Sequence, residues 1–334
     1  GHGSRHLAFN AEELTLELDE LVLEQKTIRP LLNTSYSRPV LDGEGRILGV
    51  IAENKSGRFL VEAKVFIDAS GDGLLCRDAG VPMTRPLHPQ PPTACARIEN
   101  FRRMKDLNFK ELVVQNRSRY PDLPCGYFWG CDIPGSEHIY MLAATRIMNC
   151  DCMDADEITK AELESRRQLR ALTELFRQTY PDAAVSLQAL PSAIGIRESC
   201  HITSLRRLKG AEMLADRKDP DTIGRGTYPV DIHSNTDDSI SFQHLTGERK
   251  TYRSSTLIRE DRWLPEGEVL PYYRIPLSCL IPSNSRNLIA AGRMLDADPE
   301  AFGAVRVMVN LNQCGEAAGV AAWCALQNQT DLPN

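Results

Sequence analysis

The first apolar pattern along the chain has helical spacing. Leu14, Leu18, Leu21 and Val22 recur at intervals of one, three and four, and they follow Asn10 in the position of an N-cap. Glu13 stands where a capping box needs it, and Phe9 and Leu14 occupy the staple positions, so a helix is expected to run to about Leu23. A short strand is expected around Ile28 to Asn33. Hairpin punctuation follows, with Asp42-Gly43, Gly45 and Lys55-Ser56-Gly57 setting off strands at Ile47 to Ala52 and Phe59 to Ala63. This reads as a three-stranded meander. Val65, Phe66 and Ile67 then run without polar alternation, as strands of a parallel sheet do.

Between Val81 and Pro92 the prolines are dense, and an extended crossover is expected there. Strand-like segments lie at Ala94 to Ile98 and Ile139 to Arg146, with a loop-rich aromatic stretch, Tyr120 to Trp129, between them. Leu169, Leu172, Leu175 and Phe176 form the inward face of a helix predicted from about Glu157 to Thr179. Gly224 to Tyr252, rich in Asp, Ser, Thr and Gly, reads as exposed loops.

Near the end, Leu288 to Ala291 form a buried strand that opens into a turn at Gly292 and Arg293. A helix follows on which Gly315, Ala318, Gly319 and Ala322 share a face without bulk. Two uses are open: close packing on a sheet, or a platform for a large flat ligand at a helix N-terminus near Gly315. The order α/β, mixed, α/β implies an inserted second domain, with both ends of the chain rebuilding one sheet. The expected boundaries are 1–85, 86–275 and 276–334.

Composition narrows the classes. At 334 residues, 42% hydrophobic and 25% charged, the chain has the make-up of a globular protein with room for two domains. A formal net charge of -6 argues against nucleic acid as a partner, because no basic block is present to neutralise phosphates. No apolar run approaches the ~18 residues of a spanning helix. The ten cysteines have no C-x-x-C pair and no His at zinc spacing, so free thiols in a reducing, cytoplasmic setting are expected and no metal site is. No G-x-S-x-G elbow supports a hydrolase.

Candidate chemistry lies in three stretches. Asp72, after Ala69-Ser70-Gly71 at a strand's carboxyl end, either accepts hydrogen bonds from a ligand hydroxyl or caps the helix starting at Leu74; spacing alone favours the cap. Arg197 and Glu198 either pair with each other or orient a substrate carboxylate or carbonyl. His201 is a candidate acid or base, and Tyr273 a candidate hydroxyl near a pocket, although core packing is the expected role of at least one of Tyr272 and Tyr273.

Taken together, VFIDASGDG at 65–73, AIGIRES at 193–199, NLIAAGRM and FGAVRVMVNLNQCGEAAGVAA resemble the FAD-dependent oxidoreductases of the glutathione-reductase-like flavoprotein superfamily, in the neighbourhood of fumarate-reductase-type flavoproteins. That resemblance implies an FAD-binding Rossmann-like α/β domain with a β-meander, an inserted α+β substrate domain, and hydride transfer between flavin N5 and a small organic substrate. It places the second flavin contact at Ala69, Ser70, Gly71 and Asp72, with Ser in place of the family's Thr, and the adenine near Tyr36. It places the closing turn at Gly292 and Arg293, a bracing role at Arg306, and the flavin-facing helix N-terminus at Gly315, Glu316, Ala317 and Ala318. The family's opening G-x-G-x-x-G unit has no counterpart here, since Gly43-x-Gly45 sits in a hairpin. The resemblance therefore implies a family member that begins after the first βαβ unit, so that the FAD-binding domain is incomplete. The alternative is a binding or scaffold protein that has lost FAD. A homo-oligomer is compatible with either.

Overall fold

The computed structural model describes residues 8–333, which divide into two compact units. The larger comprises residues 34–91, 151–154 and 196–333. At its centre, the strands Phe66–Asp68 and Leu288–Ala290 run parallel, with Phe66 opposite Leu288 and Asp68 opposite Ala290. Two segments more than 200 residues apart in sequence thus build one sheet, as the order of elements implied. Leu288, Ile289 and Ala290 are completely buried. Phe66 is buried too, but Ile67 is 40% exposed, so the first strand is covered on one face only.

Asn287 ties the meander to this pair. Its buried amide donates to the carbonyls of Ile47 (2.8 Å) and Lys64 (3.0 Å) and accepts from the Ile47 N–H (3.1 Å). A side-chain amide here serves three backbone groups that would otherwise be buried without partners. The meander itself is Ser35–Leu41, Ile47–Asn54 and Gly57–Glu62, antiparallel in chain order. Its first strand begins later than expected: 28–33 is irregular, ending in a turn where Asn33 takes φ 52°.

Most of Gly224 to Tyr252, expected as loops, instead belongs to a four-stranded antiparallel sheet of Val230–His233, Ser239–Gln243, Glu248–Arg253 and Thr256–Arg262. Ser239-Ile240-Ser241-Phe242 alternates with period two and buries Ile240, a strand signal hidden by a polar composition.

The smaller unit comprises residues 8–33, 92–150 and 155–195. It is α+β: a four-stranded sheet in the order Trp129–Asp132, Ile139–Ala143, Cys95–Glu99, Ser186–Ala189, with the helix Ala155–Thr179. Leu169, Leu172, Leu175 and Phe176 are buried as their spacing predicted. Phe101 stacks on Tyr140 with ring centroids 4.3 Å apart and meets Phe176 edge-on. Thr93 and Gly195 exchange backbone hydrogen bonds of 3.0 and 2.8 Å and close this unit at both ends. The insertion therefore starts six residues after the expected boundary and ends at 195 rather than 275. Residues 196–275 stay with the larger unit because their pairings lie there: His201–Ile202 with Met83–Thr84, and Thr222–Gly226 with Tyr273–Pro276.

The first helix, Ala11–Glu24, is capped by Asn10, whose side chain accepts from Glu12 N–H at 3.1 Å. Its expected inward face is not buried; Leu18 and Leu21 are half exposed. Among the described residues no helix is long and apolar enough to cross a membrane, and no group of three or more His, Cys, Asp or Glu could hold a metal ion.

Candidate functional site

Every residue of the candidate site belongs to the larger unit. At the carboxyl end of the Phe66–Asp68 strand, the buried Asp68 carboxylate accepts from Ser70 N–H (3.0 Å) and Cys76 N–H (2.9 Å), folding Ala69 to Gly73 into a tight turn. Gly71 and Gly73 take φ 83° and 68° there. Ser70 Oγ accepts from the Leu74 N–H at 3.2 Å, at the start of the short helix Leu74–Asp78, whose N-cap position is Gly73. Asp72 is therefore not the cap that its spacing suggested. Its Oδ1 accepts from Ser199 Oγ at 2.7 Å and from Arg293 Nη2 at 3.2 Å.

The turn after the closing strand comes up against this one. A Cβ on Gly71 would lie 2.6 Å from Arg293 Nη2, and one on Gly292 would lie 3.5 Å from Gly71 Cα. Arg293 Nη1 is buried and has no partner among the described residues. Two glycine turns with a buried, unsaturated guanidinium form a donor-lined cradle at the carboxyl ends of parallel strands, where open α/β sheets bind ligands. Tyr36, on the first meander strand, donates its hydroxyl to Asp78 Oδ2 at 3.1 Å; burial and that carboxylate push its phenol pKa up.

The terminal helix is Met308–Asn328, so it starts seven residues before Gly315. The N–H groups of Gly315, Glu316, Ala317 and Ala318 lie inside the helical ladder and cannot be its free N-terminal donors, contrary to expectation. That end is instead at Val307, which offers no side-chain cap, followed by Met308 and Val309, both about two-thirds exposed. The small-residue face also divides: Ala318 is in the core, while Gly315 and Gly319 are exposed with open space at their Cβ positions.

Tyr273 holds this helix start from within. It is completely buried, donates to the Ala304 carbonyl at 3.1 Å and accepts from Asn310 Nδ2 at 2.9 Å. Burial drives its pKa up. It is thus a core anchor and not a pocket hydroxyl, because both of its hydrogen-bonding capacities are spent inside. Arg306 lies at the same junction: Nη2 donates to the Asp231 carbonyl and Oδ2 (3.1 Å each) and to Gln90 Oε1 (3.3 Å). Arg306 Nε is buried without a partner. Burial pushes the Asp231 pKa up, but the hydrogen bond and charge of His233, the charge of Arg306 and the hydroxyl of Tyr228 together hold it below the usual carboxylate range. His233 Nε2 is 3.2 Å from Asp231 Oδ1, and the Tyr228 hydroxyl is 3.0 Å from Oδ2.

Beside this network lies a cavity of about 530 Å³ lined by Gln90, Glu198, His201, Arg207 and His233 among others. His201 Nδ1 is 2.9 Å from the Leu295 carbonyl, and Nε2 is 3.0 Å from Glu198 Oε1. A carbonyl only accepts, so Nδ1 carries a hydrogen, and the contact between Nε2 and Oε1 must then hold one further proton, on the imidazole or on the carboxyl. Glu198 Oε2 accepts from Gln90 N–H at 2.8 Å. Glu198 is therefore paired with His201 and not with Arg197, whose Nη1 donates to the Pro91 carbonyl. Of the three expected catalytic side chains, only His201 lines the cavity. Asp231 and His233, missed as site residues from sequence, had one readable signal: they stand two apart on a strand and so share a face.

Glycine turns at the carboxyl ends of a parallel pair, an uncapped helix start and an adjoining cavity define a nucleotide-cofactor-binding α/β protein. The chain matches the FAD dependent oxidoreductase family over residues 1–334 and belongs to it; its cofactor is FAD. No curated protein matches the sequence significantly. Among solved structures, a triple mutant of the flavin-dependent brominase Bmp2 is 12% identical with a TM-score of 0.42, over 94% of this chain and 56% of that one. The p-nitrophenol 4-monooxygenase PnpA from Pseudomonas putida is 12% identical with a TM-score of 0.37, over 60% and 45%. The myxobacterial chondrochloren halogenase CndH is 17% identical with a TM-score of 0.31, over 52% and 38%. The chain spans about half the length of the first structures it matches. The residues present fit a flavin dinucleotide, whose oxygens would meet the unsaturated Arg293 and the backbone cradle at Gly71 and Gly292.

Proposed function

We propose that the protein is an FAD-dependent oxidoreductase that moves a hydride between the flavin and a small organic substrate held in the 530 Å³ cavity. The observation that carries this reading is the cradle of Ala69, Ser70, Gly71, Asp72, Gly292 and Arg293, whose buried Nη1 lacks a partner among the described residues. These residues would hold the cofactor, with Tyr36 on the adenine side and the free N–H groups at Met308 and Val309 toward the flavin ring. The positive end of the helix dipole there suits charge that develops on reduction. Gly315, Glu316, Ala317 and Ala318 keep a supporting role, as the body of that helix. FAD supplies a two-electron acceptor.

The chain's own residues handle the proton. Glu198 and His201, which share one proton in a nearly solvent-free wall, give that proton to the substrate oxygen or nitrogen as hydride arrives from the reduced flavin, and the pair so emptied takes it back when the substrate is oxidised. Arg197, bonded to the backbone beside Gln90, and Tyr273 act through position only. Anaerobic addition of candidate alcohols, amines and hydroxy acids to the flavin-loaded protein tests the reading. Bleaching of the flavin band by at least one is expected, and a band that no two-electron donor of any kind can bleach would overturn it.

A further inference from the structure

The charge of the cavity wall narrows the class of substrate, an inference that rests on the cavity being the substrate site. The chain as a whole is acidic, with 45 Asp and Glu against 39 Lys and Arg. The wall reverses that balance: two guanidiniums, Arg85 and Arg207, and three imidazoles, His88, His201 and His233, face a single carboxylate, Glu198. Both oxygens of Glu198 are already taken, one by Gln90 N–H and the other by His201.

The cations differ in how far they are committed. Arg85 is bonded to Asp151 at 2.8 Å. His233 is held by Asp231. Arg207 is held only by long contacts. Its Nη2 reaches the Ala297 carbonyl at a long 3.3 Å, and its Nε is 3.7 Å from Asp296 Oδ1. Asp296 in turn takes two bonds from Ser204 through its other oxygen. Nη1 of Arg207 makes no bond to the described residues, and the side chain is 47% exposed. A planar guanidinium with an open edge at a concave wall suits bidentate capture of a carboxylate. Pro86, Leu87, Ile232 and Pro299 supply an apolar bed for the rest of the molecule. The volume lies in the ~300–1,000 Å³ range usual for small-molecule sites.

We infer that the cavity selects an organic acid: a small substrate whose carboxylate is held by Arg207, and whose hydrocarbon part lies on Ile232 and Pro299. Placing the acid end at Arg207 leaves the reacting carbon free to approach Glu198 and His201 on the same wall. An anion could also be a phosphate of the cofactor itself, so the test separates the two sources.

Benzoate and its uncharged isostere benzamide are titrated into the purified protein, with and without saturating FAD, and followed by saturation-transfer NMR. Flavin uptake is read independently from visible absorbance. Benzoate is expected to bind about tenfold more tightly than benzamide or better, a difference of ~1.4 kcal/mol. The preference is expected to persist with FAD bound and to fall to about twofold or less in Arg207→Gln. Arg207→Lys, which keeps the charge but loses the fork, should recover only part of it. Circular dichroism confirms that each variant is folded. Equal binding of benzamide, no binding of benzoate, a preference that survives Arg207→Gln, or displacement of benzoate by FAD would each overturn the inference. A protein that takes up no flavin but keeps the Arg207-dependent preference sinks the oxidoreductase reading and leaves an anion site standing. Flavin uptake with no preference does the reverse.

Discussion

Glu198 Oε1 lies 3.0 Å from His201 Nε2, and each residue is only 4% exposed. The Leu295 carbonyl fixes the tautomer of His201, so the pair behaves as one proton-holding unit. In Glu198→Gln the amide can donate to a neutral imidazole and accept from Gln90 N–H, so the contacts survive while the mobile proton is lost. Stability within ~1 kcal/mol of the parent by urea denaturation is expected. Hydride-transfer rates should fall roughly 10²–10⁴-fold, with a flattened pH profile. His201→Phe leaves a buried carboxylate with a single partner and should cost about 3–5 kcal/mol. Equal stability of the two variants would contradict the pairing.

Gly71 is the tightest point of the cradle. Its φ of 83° disfavours any side chain, and a Cβ would press on Arg293 Nη2. Gly71→Ala should therefore cost about 1–2 kcal/mol from backbone strain, and it should weaken FAD binding more than tenfold by displacing Arg293. Gly43→Ala, with open space at the same position, is the control and should change neither quantity. Isothermal titration with FAD, beside urea midpoints, checks both.

Asp231 sets a pH dependence of defined sign. Its carboxyl titrates below its ordinary value of 3.8, because His233, Arg306 and Tyr228 outweigh the effect of burial. A group whose folded pKa is depressed adds stability that is fully present above the unfolded pKa and is lost as pH falls toward the folded one. The contribution of Asp231 to urea midpoints should thus be full and independent of pH near neutrality, and it should drain away below about pH 4. Asp231→Asn should be less stable at pH 7 but show a shallower acid-side decline. Parallel declines in the two proteins would exclude Asp231 as the linked group.

The parallel strand pair was legible because Val65 to Ile67 and Leu288 to Ala291 are apolar runs ending in glycine turns, a signal that needs no tertiary context. The long helix carrying Leu169 to Phe176 was legible for the same reason. The start of the terminal helix was not: Val307 is an N-cap without a capping side chain, and the small residues that drew attention to Gly315 lie two turns further on. Polar strands such as Ser239–Gln243 were read as loops because their Ser and Thr content masks a period of two. The pairing of Glu198 with His201 rather than with its neighbour Arg197 is set by the Gln90 backbone, 108 positions away, which no local pattern reports. Spacing favoured Asp72 as the cap of the helix at Leu74, but Ser70 takes the Leu74 N–H while Asp72 turns to Ser199 and Arg293, partners 127 and 221 positions away.

The central claim is that the cradle at Gly71, Gly292 and Arg293 holds FAD. Equilibrium dialysis of the purified protein against FAD, compared with its Arg293→Met variant, tests it most directly. One FAD per chain and a yellow protein are predicted for the parent, with at least a tenfold weaker affinity once the buried guanidinium is removed. A parent that stays colourless, or a variant that takes up FAD as tightly as the parent does, would contradict the account.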